Sequence, residues 1–334
     1  MKKKLFFFSI KHPLLYILLF AIIVRGLAII FTDGLATESN FNYLMIPDSW
    51  LENHWIVCGS RLILGVFSLS IITLAYRITK IIADKTTALE IAVFGALLWG
   101  APYVSVHAFP GVVATPFMLY GTLLILKQHN LLKNNDIKKF HHTTFIIAGF
   151  CLGLGFAVYY QSVVYYIGIL ATLLILRNWK GALMTLTGYV IAVGITQTFV
   201  DILIFHRPFA AITTFFRDLL IVDINFLRST CFLLVLLLPP VSVLLFFGFF
   251  RVLRKYMILV LPTLTALLYS ATTYDNFDIL LMIMPTYIIA GYVGWKEFYK
   301  NSAFWTRNKW LVTTCYMFFA LLDILMMILS FIYF

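Results

Sequence analysis

The feature that most constrains this chain is the recurrence of long, nearly uncharged apolar runs. A helix needs about 20 predominantly apolar residues to cross the hydrocarbon core of a bilayer. Eleven stretches approach that pattern: 12–32, 57–79, 87–106, 109–126, 143–159, 162–176, 181–205, 229–250, 256–271, 277–295 and 309–333. Strands are not expected, because the runs are continuously apolar and lack the alternation of a membrane barrel strand. The sixth run is short, and Pro239-Pro240 predicts a kink in the eighth. Composition excludes a soluble globular domain. The chain is 62% hydrophobic and 12% charged, with a mean hydropathy of +0.95, against about 45–50% apolar and about 25% charged residues in soluble domains. We expect an all-α, polytopic membrane helical bundle of about eleven helices, forming a single integral membrane domain over 1–334.

The first run follows Met-Lys-Lys-Lys, which resembles the start of a signal peptide. Its apolar stretch runs well past 15 residues and no A-x-A site follows, so a retained first helix is expected.

The formal net charge is +11, from 25 Lys+Arg against 14 Asp+Glu. A basic excess of this size in a soluble chain suggests nucleic acid; here it sorts by loop. With a cytoplasmic N-terminus, one side holds Lys2, Lys3, Lys4, Lys11, Arg77, Lys80, Lys85, Lys127, Lys133, Lys138, Lys139, Arg177 and Lys180. The same side holds Arg251, Arg254, Lys255, Lys296, Lys300, Arg307 and Lys309, so 20 of the 25 basic residues lie there. Arg25, Arg61, Arg207, Arg217 and Arg228 remain for the other side. The positive-inside rule then predicts a cytoplasmic N-terminus. Nine of the 14 acidic residues fall on the outer side: Asp33, Glu38, Asp48, Glu52, Asp201, Asp218, Asp223, Asp275 and Asp278. Carboxylates contribute little to orientation, so these are either solvated loop residues or part of an outer-face site.

Two outer segments are long enough to hold a site, 33–56 and 206–228. Long connections of this kind often carry function. The second is half apolar, with Pro208, Phe209, Phe215, Phe216, Leu219, Leu220 and Ile221. It reads as an interfacial helix in the membrane plane, with Arg207 and Arg217 near headgroup phosphates, or as an amphipathic cover without catalytic duty.

Several stretches resemble motifs of one family. The first outer loop contains Ala36-Thr37-Glu38-Ser39-Asn40-Phe41-Asn42-Tyr43-Leu44, with Pro47-Asp48 shortly after. The next run contains Ser60-Arg61-Leu62-Ile63-Leu64 and leaves through Ala75-Tyr76-Arg77-Ile78. Val106-His107-Ala108-Phe109-Pro110-Gly111 follows the third run. After the seventh come Asp201-Ile202-Leu203-Ile204-Phe205-His206-Arg207-Pro208 and Thr213-Thr214-Phe215-Phe216-Arg217. Together these resemble the GT-C superfamily of polytopic glycosyltransferases, in the mannosyltransferase branch related to the GPI- and asparagine-linked-glycan enzymes. The family's first-loop motif resembles His-Pro-Asp-Glu-His-Phe-Gln-x-x-Leu. Glu38 then stands where the family's Asp does, and Pro47-Asp48 is a competing match. The motif's first His is missing in both, His107 replaces a usual Arg, and Ala114 stands where a Glu is common. The resemblance covers roughly residues 10–230, and the chain is short for the family.

The resemblance implies a GT-C-like fold and transfer of a mannose-like sugar from a polyprenyl-phosphate carrier to a lipid-linked or glycan acceptor. Glu38, or alternatively Asp48, is then the general base for the acceptor hydroxyl. Arg61, Arg207 and Arg217 are candidates for the leaving phosphate, since guanidinium binds phosphate bidentately. His107 and His206 are candidate extra donors, and Asp201 a group that orients them. A donor without nucleotide diphosphate requires no metal, and no sequence cluster has metal-ligand spacing. The expected cofactor set is therefore empty, the donor being a substrate, and the expected partners are the lipid-linked donor, the acceptor and membrane lipids, not nucleic acid. The expected location is a bacterial inner membrane, with the site on the periplasmic face.

Other features carry less. Arg25 snorkels, pairs with Asp33 or meets a headgroup. Asp323 sits inside the last run, where it is expensive, and no role follows for it. Cys58, Cys151, Cys231 and Cys315 are scattered and read as small apolar residues. Gly149, Gly153 and Gly155 mark a helix packed closely on a neighbour. A catalytically inactive relative, and a lipid or solute transporter with broken helices and ionisable residues along a path, are the competing readings.

Overall fold

The computed structural model describes residues 12–32, 54–133, 141–209, 212–213, 237–272 and 277–333. Among them there are helices and turns but no strand. In chain order the helices are α1 (Pro13–Phe31), α2 (His54–Ile82), α3 (Lys85–Leu97), α4 (Gly100–Val106), α5 (Pro110–Lys133) and α6 (Thr143–Val158). There follow α7 (Val163–Ile175), α8 (Trp179–Phe205), α9 (Val241–Arg251), α10 (Met257–Ser270), α11 (Phe277–Asn301), α12 (Ala303–Arg307) and α13 (Lys309–Tyr333). A 3₁₀ turn, Tyr160–Ser162, joins α6 to α7.

Six helices, α1, α2, α5, α8, α11 and α13, are long and apolar enough to cross a membrane. This is the architecture of a multi-pass helical membrane bundle. The four shorter apolar helices α6, α7, α9 and α10 have 16, 13, 11 and 14 residues. At 1.5 Å per residue each falls short of the roughly 30 Å hydrocarbon core.

The run expected over 87–106 is not one helix. It breaks between α3 and α4, whose axes differ by 67°. Pro102 supplies the reason: its ring clashes with the carbonyl four residues back, which belongs to Leu98. Leu98 accordingly leaves the helical region, at φ −50° and ψ 125°. The break would strand the Trp99 N–H, and Asp323 of α13 takes it, accepting at 2.9 Å. The carboxylate without a sequence role is thus a tether between the last helix and the α3–α4 break. The proline pair acts as a helix start: Pro240 immediately precedes α9, so the described part of the eighth run shows no kinked continuous helix.

Lipid tails offer helices no hydrophobic drive to associate, so close backbone packing through small residues must do it. The α6–α8 pair is the clearest case. A Cβ built on Gly149 would lie 1.9 Å from the Thr185 carbonyl oxygen, and one on Gly188 would lie 2.0 Å from that of Ile146. Gly248 of α9 and Gly294 of α11 meet in the same way. Large apolar side chains such as Ile23, Ile63, Leu183 and Leu321 point outward, as lipid-facing residues should.

Polar contacts gather at one end of the bundle. Tyr256 donates its hydroxyl to the Ile82 carbonyl and to Glu297, joining the ends of α2 and α11 to the start of α10. Lys255 pairs with Glu297 and Lys296 with Glu90. Asp84, in the α2–α3 turn, accepts from the Thr86 and Thr87 hydroxyls. Its partial burial opposes ionisation, but these two bonds and the nearby Lys296 charge outweigh it and hold the carboxyl down at about 2.

Candidate functional site at the opposite end

At the other end, α1 stops, α2 starts, α4 turns into α5 and α11 begins. Arg61 lies two turns into α2 and is only 4% exposed. Its guanidinium donates to the Thr32 carbonyl at 2.5 Å, to the Ala28 carbonyl at 3.1 Å and to the Thr32 hydroxyl. The Ala28 carbonyl already accepts the Thr32 N–H at 3.1 Å, whereas the Thr32 carbonyl lies past the last intrahelical bond, so the forked cation meets the negative end of the α1 dipole there. Arg61 therefore anchors the residue immediately before segment 33–53.

His107 follows α4 and is also buried. Its Nδ1 donates to the Tyr103 carbonyl at 2.7 Å, which fixes the orientation of the ring. The His107 and Tyr103 rings lie 4.2 Å apart, centre to centre, and Tyr103 is within electrostatic reach of Arg61. Phe109 sits 6.4 Å from His107 and 5.5 Å from Phe277. The start of α5 then presses on the start of α11. Gly111 donates its N–H to Asp278 Oδ1 at 3.2 Å, and a Cβ at Gly111 would lie 2.0 Å from the Asp278 carbonyl oxygen. Only glycine permits that approach, and it buries the Asp278 side chain beside His107's turn.

The structure thus brings Arg61 and His107 to one end of the bundle. It adds Tyr103, which was not singled out from sequence, and Asp278, which was read there only as one of nine outer-side acids. Their signal was faint: Tyr103 is one helical turn before His107, and Asp278 opens the tenth apolar run. Asp201, His206 and Arg207 stand elsewhere. Asp201 lies in α8 and His206 and Arg207 just past its end, and α8 packs mainly on α6 and, less, on α7. Asp201 is fully buried, near buried Gln197 one turn earlier. His206 adopts a left-handed backbone (φ 53°) that closes α8, and it and Arg207 are exposed. Glu38, Asp48 and Arg217 lie outside the described residues, as do most of the two outer segments. Among the described residues, no three His, Cys, Asp or Glu side chains stand together as metal ligands.

Beneath this end lies a cavity between α1, α2, α3, α4, α5 and α11. About 70 Å³ of it admits the centre of a water-sized sphere. Arg25 lines it, 4% exposed, with Nε donating to Ser68 Oγ at 2.8 Å and Nη1 to the Ala21 carbonyl at 3.3 Å. The snorkelling expected for Arg25 does not occur. The reason is its place on α1, on the face that buries Ile17, Ala21, Val24 and Ala28, which turns the side chain inward against α2. Both arginines stitch α1 to α2, Arg61 at the end and Arg25 deeper.

No protein-family model matches the chain and no curated protein matches it, so this end of the bundle is interpreted from its own geometry.

Proposed function

We propose that this chain is a membrane-embedded glycosyltransferase. It moves a mannose-like sugar from a polyprenyl-phosphate carrier to a lipid-linked or glycan acceptor, at the outer face of a bacterial inner membrane. The observation that supports this reading is the convergence of Arg61 and His107, two residues selected by motif order, with Tyr103 and Asp278. They meet at the end that the charge distribution assigns outward. In this reading the bundle has a GT-C-like arrangement of eleven helical segments. Arg61 is a positioning residue, because its donors are committed to the end of α1 from which the Glu38 and Asp48 segment departs. Glu38, with Asp48 as the alternative, takes the proton of the acceptor hydroxyl as it attacks the anomeric carbon. The carrier phosphate leaves with the bonding electrons, and Arg207 and Arg217 on the second outer segment stabilise it.

The test offers polyprenyl-phosphate sugars and a lipid-extract acceptor to purified protein in detergent, with Glu38→Gln and Asp48→Asn alongside. Turnover that falls by several orders of magnitude in one of the two variants is expected. Wild type inactive with every donor would sink the transferase reading, and equal turnover in both variants would sink the base assignment. A second reading, a lipid or solute transporter, is favoured by one observation: the α3–α4 break, held by Asp323. Broken helices with ionisable partners recur at transporter binding sites. Flux into proteoliposomes without any chemical change in the solute would select it.

A further inference from the structure

Arg25 stands apart from the proposed transfer site. It lies six residues before the end of α1, about 9 Å deeper along the helix axis. Its guanidinium has five N–H donors, and the structure engages two of them, with Ser68 and with the Ala21 carbonyl. Among the described residues no carboxylate pairs with it, and none lines the cavity it faces. Buried charges are ordinarily paired, and an unpaired cation within a membrane bundle is costly. The remaining polar wall groups are the hydroxyls of Ser68, Ser105 and Thr115, each already donating to a backbone carbonyl of its own helix. The rest of the wall is apolar, including Ile72 and Met284. A cation with spare donors at one point of a largely apolar cavity is complementary to an anionic head on a hydrocarbon chain.

We propose that this cavity binds a single-chain amphiphilic anion, its phosphate or carboxylate head on Arg25 and its hydrocarbon chain along the α3–α4 break. The site does not depend on the transfer reaction. Gly95 offers a way to test the chain without touching Arg25. It lines the cavity, and a Cβ there would meet only Ile72, at 4.0 Å, so a larger side chain enters that space.

The experiment measures retention of radiolabelled dodecyl phosphate by the full chain purified in a neutral maltoside detergent, with dodecanol and inorganic phosphate as competitors. Arg25→Met and Gly95→Leu are compared with wild type, each checked for a monodisperse gel-filtration profile. Saturable binding to wild type is expected, weakened at least about tenfold in each variant, with neither competitor displacing the probe. Undiminished binding by Arg25→Met would overturn the head-group assignment. Displacement by inorganic phosphate as efficient as by unlabelled dodecyl phosphate would overturn the role of the chain, marking a simple anion site. Should Arg25→Met fail to fold, Gly95→Leu decides alone, and unchanged affinity in it refutes the proposal.

Discussion

The α6–α8 contact gives the sharpest test of how this bundle is held together. Replacing Gly149 by Ala adds one methyl group, whose carbon would lie 1.9 Å from the Thr185 carbonyl oxygen and 2.7 Å from its carbon. Both atoms are backbone, so no side chain can swing aside. Restoring even a 3.0 Å separation requires the helices to part by about 1.1 Å, and a gap of 0.5–1 Å already forfeits about a quarter to a half of each van der Waals well. The loss falls on neighbouring contacts too, including Gly153 against Ala192 and Gly188 against Ile146. Overpacking commonly costs about 1–3 kcal/mol, and the backbone nature of this clash places Gly149→Ala near 3 kcal/mol. Gly194 on α8 is the control, because a Cβ there meets nothing within 4 Å. Gly194→Ala should be neutral or stabilising by up to about 1 kcal/mol, from helix propensity alone. Reversible unfolding in mixed micelles, titrated with a denaturing detergent, measures both. Equal stability of Gly149→Ala and Gly194→Ala would refute the argument that backbone contact, not generic apolar burial, joins these helices.

Three further outcomes are expected. Asp323→Leu should be less stable than Asp323→Asn by about 1–2 kcal/mol in the same unfolding assay, because both lack the carboxylate but only Asn keeps an acceptor for the Trp99 N–H; equal stability would refute the tether. Arg61→Lys should destabilise by about 1–2 kcal/mol, since an ammonium cannot reproduce the planar fork over Ala28 and Thr32, and accelerated proteolysis within 33–53 should accompany it. Asp84 has a carboxyl held below its unfolded value of about 4, so its contribution is present above that pH and is lost as pH falls toward about 2. Thermal unfolding followed from pH 5 to pH 2 should therefore show a steeper decline in wild type than in Asp84→Asn.

Much of the helix placement was legible from hydropathy alone, because in lipid the backbone must satisfy itself within each segment. Helices fill most of the described part of the runs, with α1, α6, α7 and α13 close to the boundaries read from sequence. Hydropathy marked the sixth run as short but did not separate spanning helices from shorter apolar ones such as α6 and α10, which end after 16 and 14 residues. The α3–α4 break carried a signal in Pro102 that an uninterrupted apolar run concealed. The site was legible only in fragments. Arg61 and His107 were visible as polar residues at segment ends, whereas Asp278 joined them through the close approach of Gly111, a contact between residues 167 positions apart.

By itself the sequence determined an apolar, helical, membrane-embedded chain. Those properties follow from local composition, and composition acts segment by segment. Only the tertiary structure decided what the few interior charges do. Arg25 and Asp323 look equally misplaced in the sequence, yet one faces a cavity beside Ser68 and the other holds a broken helix at Trp99. The difference lies in which backbone and which space the packing of other helices sets opposite each charge, and no local property of either residue encodes it.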